Sequence, residues 1–569
     1  MLEPRRWQLR RWLLPALWLP VALCLGAAPP PLGAGQPAGA LPSATGSQTI
    51  TLPGLPAVNE QALLRSLYER RHGALLWSAH ERPTLQAGEL AALLQSAGDC
   101  GLRPEDYAAG LIGSELARLS SGAAPPATDW QRFDRLLSLA AIRLLSHLHY
   151  GRIDARAAGF ELGAARSDFD VAASVTAAAA AAHLSEIVAA SEPRFYHYGL
   201  LKQALAHYRV LAADPSLPGL PAPGRRAVHP GEPYAGAPAL RHLLIALGDL
   251  SPATVPEPQA TILDPATAEG LERFQGRHGL PVDGALGSAT YAALTTPLAQ
   301  RVRQIELTLE RWRWLPPFDS PPIIVNIPEF RLYAFRTPGD RVADMLQMPV
   351  IVGRAFPRTR TPVFVGELRY VVFRPYWDIP RSILLNEMLP EIRAHADYLQ
   401  RNQLEIVRGP GDDAAPVAPD AQSIAALAAG QLRLRQRPGD DNALGLVKFV
   451  FPNVHDVFMH GTPAHRLFLQ SRRAFSHGCI RVSDPVGLAA FVLRNASGDW
   501  DEERIVEAMH GPDSAHVELR APIRVMILYG TALATEAGPI RFFDDIYGHD
   551  RKLEQLLNLE PVHGIDRLR

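Results

Sequence analysis

The chain has 569 residues, too many for a single hydrophobic core, so roughly two to four domains are expected. Its 57 basic residues balance 58 acidic ones, which excludes a polybasic nucleic-acid binder and an acidic solvating tail. Three cysteines are too few for a disulfide framework, so a thiol kept in an oxidising compartment must be buried or reactive.

In chain order, Arg5, Arg6, Arg10 and Arg11 precede an apolar run at 12–28 that ends in small residues, the layout of a signal peptide at 1–28. The run is at the short edge of the spanning range and contains Pro15 and Pro20, so cleavage is expected and any membrane tether would be this segment alone. Cys24 follows the bulky Leu23, which is unsuited to lipidation. A disordered linker is expected at 29–58. Helical spacing at 91–94, 136–148 and 177–188 predicts a helical scaffold domain over 59–212. Within it, Cys100 reads as a small half-buried residue at a helix end. A Pro/Gly-rich linker at 213–238 leads to a three-helix module at 239–296. Its punctuation is Phe274-Gln275, Gly279-Leu280, Asp283-Gly284, Gly287, Thr290 and Leu294. Gly279 would close a helix, Asp283-Gly284 would turn, and Ser288 would cap the last helix.

A connecting helix is expected at 297–320, and from Pro321 the texture changes to strands. Runs at 323–327, 331–335, 348–352, 363–365, 370–373, 447–451 and 457–459, with a final strand at 523–529, predict a mostly-β domain over 321–535. Helical text at 383–392 and 423–429 predicts a helical lid inserted at about 379–437. Helices follow at 485–493 and 502–510, and residues 536–569 form a C-terminal extension.

The chemistry concentrates in His460-Gly461-Thr462-Pro463 and Ser476-His477-Gly478-Cys479-Ile480-Arg481-Val482. A thiol attacks as thiolate, and a neighbouring imidazole can take its proton and return it to a leaving group. Gly478 lets the backbone turn sharply, and amides around Gly478 and Cys479 would hold an oxyanion, worth about 3 kcal/mol per donor. From the residues alone, a cysteine acyl-transfer site and a packed β-hairpin with incidental histidines both remain open. His455, His460, His465, His477 and Cys479 lack metal-ligand spacing, and no His-Glu-x-x-His is present, so no metal or cofactor is expected.

These two segments resemble the active-site signature of the L,D-transpeptidase (YkuD) catalytic domain. The punctuation of 239–296 resembles a peptidoglycan-binding module. Pro375-Tyr376-Trp377-Asp378-Ile379-Pro380, Pro438-Gly439, Leu444-Gly445 and Phe543-Asp544-Asp545-Ile546-Tyr547-Gly548 extend the likeness to the large YcbB-type L,D-transpeptidases. The resemblance implies a multidomain α+β protein: N-terminal helical scaffold, three-helix module, and mostly-β catalytic domain with an inserted helical lid. It makes Cys479 the nucleophile and His460 the general base. Gly461 and His477 would line the site, Ser476 and Gly478 would shape the loop, and Arg481 would take a substrate-side or structural place. Tyr376 and Trp377 would meet substrate at the lid base, or else lie in apolar core. The family often has Asn where this chain has Asp484. The implied reaction takes D-alanine from a tetrapeptide stem through a Cys479 thioester and forms a 3–3 cross-link in the periplasm. Carbapenems would acylate the same thiol. Donor and acceptor stems are the implied partners, with other cell-wall synthesis enzymes. Hydrolysis by the same residues, as an L,D-carboxypeptidase or endopeptidase, and a non-catalytic wall-binding scaffold are the alternatives.

Overall fold

The computed structural model describes residues 59–559 apart from 122–124, 164–168, 225, 255–259, 318–319, 338–344, 357 and 537. The expected signal peptide and the linker at 29–58 lie outside the described residues. No helix among the described residues is long and apolar enough to cross a membrane.

Three apolar cores organise the chain. The first belongs to the helical scaffold, built around Ala127–Tyr150, whose residues Leu136 to Leu148 are buried without interruption. Such an all-round burial fits a central helix wrapped by others. The helical text at 177–188 is two helices, Val171–Ala180 and Leu184–Ser191, because Ala181 adopts an extended conformation.

The second core is shared. It runs from Ile153 through the three-helix module and the β domain to Leu557. The segment at 213–238 is packed rather than loose: Leu220, Val228 and Tyr234 are buried, and Val228 bridges to Leu286. Module helices are Ala237–Ala246, Pro265–Arg277 and Ser288–Leu294. Buried Gln275 holds the turn between the last two. Its Nε2 donates to Asp283 Oδ1 (2.8 Å), and its Oε1 accepts from the amides of Asp283 and Gly284, both at 3.0 Å. Ser288 is not the cap; it is the first helical residue, and Gly287 occupies the cap position without a side-chain bond.

Helix Leu298–Arg313 runs through the centre of the molecule, packed on Tyr196–Ala213. Its Glu310 accepts from the amide of Ile153 (3.0 Å) and pairs with Arg313 (2.8 Å), with both side chains almost fully buried. Arg313 in turn donates to Tyr198 Oη and the Cys100 carbonyl.

The β domain is a closed barrel. Its strands are β1 (Ile323–Asn326), β2 (Arg331–Ala334), β3 (Leu346–Gly353) and β4 (Phe364–Phe373). The insertion supplies β5 (Trp377–Asp378), β6 (Leu404–Arg408), β7 (Ala415–Val417) and β8 (Arg433–Gln436). Then come β9 (Val447–Val450), β10 (Met459–His460), β11 (Ala474–Ser476), β12 (Ile480–Val482) and β13 (Ala515–Leu528). The order is β11-β3-β12-β10-β9-β4-β13-β1-β2, and β2 pairs back onto β3. Closure removes the exposed edges of an open sheet.

Three readings of the β text change. The runs at 363–365 and 370–373 belong to one strand, β4, in which Gly366 lies against the Phe451 ring. The strand expected at 523–529 begins at Ala515 and is not the last: a hairpin of β14 (Ala532–Thr535) and β15 (Gly538–Phe542) follows, so a boundary at 535/536 would cut it. The inserted lid is not purely helical. Strands β5, β8, β6 and β7 form a four-stranded sheet with helix Ala421–Ala429 and a third core that includes Ile383, Leu384, Ile406, Leu427 and Leu434. At the lid base, fully buried Asn442 donates to the carbonyls of Pro375 and Arg437, pinning both ends of the insertion.

Candidate active site

The barrel brings the two motif segments side by side. β10 and β12 run parallel with Met459 opposite Ile480 and His460 opposite Arg481. Side chains alternate along a strand, so Phe458 and His460 share a face with Cys479 and Arg481. On the other flank β9 places Lys448 opposite His460. A row Lys448–His460–Arg481 therefore crosses three strands beside Cys479.

Cys479 is a half-buried free thiol whose Sγ lies 3.7 Å from the Asp456 carbonyl. Burial pushes its pKa up, against the opposing pull of the Phe458 amide, Lys448 and Arg481. The resting sulfur is thus a protonated thiol that needs a base. Buried His460 is held down to about 3, chiefly by desolvation and then by the Arg481 charge. Its Nδ1 lies 2.6 Å from the Gly461 carbonyl oxygen, which only accepts. That nitrogen therefore carries the proton and Nε2 holds the lone pair. The pair is a neutral thiol and a neutral imidazole.

The loop carrying Cys479 is fixed from within and from behind. Ser476 Oγ donates to the Cys479 carbonyl (2.5 Å) and accepts from the Gly478 amide (3.1 Å). The Gly478 N–H is therefore committed to Ser476 and is not an oxyanion donor, contrary to expectation. The Cys479 amide has no acceptor among the described residues. Gly478 sits at φ +131°, open to glycine alone. The nearest atom to an added Cβ would be 3.8 Å away, so the penalty of a side chain is conformational. Gly478→Ala is expected to cost about 1–3 kcal/mol of strain at this loop. It should slow acylation of Cys479 in a stopped assay while circular dichroism stays unchanged.

Behind the loop, Thr361 Oγ1 donates to the Gly478 carbonyl (2.7 Å) and accepts from the Gly353 amide (2.9 Å). Tyr547 Oη accepts from the Thr361 amide and donates to the Gly353 carbonyl (2.6 Å). The Phe543–Gly548 segment thus braces the loop that carries Cys479, a contact that sequence alone did not assign to Thr361 or Tyr547. Gly445 does similar work on the other side, since at φ +65° an added Cβ would lie 2.6 Å from the Thr462 amide. Asp484, where the family often has Asn, caps helix Pro485–Leu493 by accepting from Gly487 N at 2.8 Å.

The remaining candidates divide. His477 faces outward and binds the lid, its Nε2 2.7 Å from Glu387 Oε1 in a π turn, Leu384–Met388. Arg481 is partly buried with Nε unpartnered among the described residues, and its charge acts on both His460 and Cys479. Tyr376 lies under the Arg435 guanidinium (4.0 Å) and Trp377 packs on the lid core, so both belong to the lid base. Lys448 was missed. Its ammonium rests 4.0 Å over the Phe458 ring, and its pKa is lowered by burial and raised by Cys479. Lys448→Gln should move the pH midpoint of iodoacetamide labelling of Cys479 upward; an unchanged midpoint would remove Lys448 from the site.

Residues 321–506 match the family model described as "L,D-transpeptidase catalytic domain". That stretch is thus similar to the catalytic domain of the L,D-transpeptidases. Residues 236–294 match "Putative peptidoglycan binding domain" and residues 62–205 match "Scaffold domain". A Haemophilus influenzae protein named "Putative L,D-transpeptidase" is 33% identical over 251 residues, which is 44% of this chain and 49% of that protein. The match therefore spans about half of that relative's length. A solved L,D-transpeptidase structure from Xylanimonas cellulosilytica aligns over 54% of this chain and 99% of its own at 15% identity, with a TM-score of 0.17.

Proposed function

We propose that this transpeptidase domain forms 3–3 cross-links between peptidoglycan stem peptides outside the inner membrane, through a thioester on Cys479. The observation that carries the reading is the neutral thiol–imidazole pair on one barrel face, within a domain of this family. Cys479 Sγ attacks the carbonyl carbon of the bond before the terminal D-alanine as its proton passes to His460 Nε2. The Cys479 amide supports the oxyanion. Collapse breaks the C–N bond, His460 returns the proton to the departing amine, and D-alanine leaves. The side-chain amine of a second stem then attacks the thioester, gives its proton to His460, and releases the thiol as the new amide forms. An exported enzyme is implied because that substrate lies outside the cell membrane.

Mass spectrometry of purified muropeptides after incubation with the enzyme tests this. Free D-alanine together with a cross-linked dimer is expected. D-alanine without any dimer would replace transpeptidation by hydrolysis at the same cysteine.

A further inference from the structure

A cavity of about 920 Å³, which Cys479 does not line, lies between the module tip, helix Leu298–Arg313, the Leu469–Arg473 segment and the C-terminal extension. Its charge is unbalanced. Arg301 donates only to Gln304, Thr296 and the Ala293 carbonyl, and Arg473 donates only to the backbone carbonyls of Val350, Gln470 and Phe330. Neither has a carboxylate at ion-pair distance among the described residues. Arg331 and Arg541 share the single carboxylate of Glu329, which also accepts from Tyr333. Three acids of the wall are engaged, Asp550 with Arg311 and Thr531, Glu554 with Arg303, and Asp545 with Tyr529, while Asp544 makes no ion pair among the described residues and its charge acts on Arg301 at longer range. Burial lowers the pKa of Arg301 to about 10 and that of Arg473 below its usual value, so added negative charge would be favourable at both. Two exposed apolar residues stand on the rim, Val282 from the module and Leu469 from the barrel.

The position of the cleft gives it a use. Arg473 immediately precedes β11 (Ala474–Ser476), and the loop carrying Cys479 follows directly. A polymer held in the cleft would lie along the segment that leads to the nucleophile. We propose that this cleft is a secondary binding site for a carboxylate-bearing stretch of the cell-wall polymer, with carboxylates against Arg301 and Arg473 and apolar parts against Val282 and Leu469. The proposal rests on the cross-linking reading above and adds to it a site outside the module's own three helices. It makes the module and the barrel one binding surface for polymeric substrate, whereas a short soluble stem would not reach it.

The test is a full-chain Val282→Asp/Arg472→Glu variant, both positions exposed on the cleft. Sedimentation with isolated peptidoglycan sacculi, using proteins that also carry Cys479→Ala to prevent turnover, reads binding. Placing negative charge on the rim should weaken it about tenfold or more. With Cys479 intact, acylation by a soluble tetrapeptide stem should keep its wild-type rate. Unchanged sacculus binding overturns the proposal, and so does an equal loss on both substrates, which would put the effect in the catalytic domain. Wild-type protein that forms no adduct with the soluble stem would instead overturn the cross-linking reading itself.

Discussion

Replacing His460 by glutamine should slow acylation of Cys479 by about 10²- to 10⁴-fold, the range for loss of a positioned general base. The pH dependence is more diagnostic than the size. His460 is held down to about 3, so in the wild type the base is not lost on acidification from pH 7 to pH 5. The thiol is pushed up by burial, so thiolate contributes little in that window. A neutral pair should therefore give a kcat/KM for acylation that is flat between about pH 5 and 8. In His460→Gln the reaction must draw on pre-existing thiolate, and the rate should climb about tenfold per pH unit. A wild-type profile that halves near pH 6.5 would contradict this geometry. The same burial acts on stability. The unfolded imidazole binds a proton below about 6.5, whereas the folded one does so only near 3, so the folded state loses stability as pH falls through that interval.

The second large effect lies far from the thiol. Glu310→Ala should lower the free energy of unfolding in urea by about 3–5 kcal/mol, because removing one partner strands a buried charge. Arg313, 1% exposed, would keep Tyr198 and the Cys100 carbonyl but lose its only carboxylate among the described pairs. The amides of Arg152 and Ile153 would lose their acceptor at the same time. Arg313→Met in the Glu310→Ala background should recover part of the loss, since it removes the stranded charge. No recovery would show that the backbone acceptors, rather than the ion pair, dominate.

How far these features could be read from sequence depends on how local their causes are. Cys479, His460, Ser476 and Gly478 lie in two short segments that stood out through their residue types together with a family resemblance, and the barrel sets them side by side. Gln275 and Asp283-Gly284 were legible for the same reason, since an eight-residue reach from Gln275 to Asp283 makes the turn. Lys448 was not, because one lysine in Val447-Lys448-Phe449-Val450 reads as an outward residue until β10 is laid against it. Thr361 and Tyr547 are 186 residues apart and meet only through closure of the barrel. The lid sheet was missed because its strands are two to five residues long and set among helices, although Leu404-Glu405-Ile406-Val407 and Arg433-Leu434-Arg435 carry some alternation.

Intact-mass analysis of the full chain after mixing with a tetrapeptide stem tests the central assignment most directly. Wild type should gain the mass of the stem less D-alanine, and Cys479→Ala should gain nothing. An adduct on Cys479→Ala, or none on wild type under turnover conditions, would contradict Cys479 as the nucleophile.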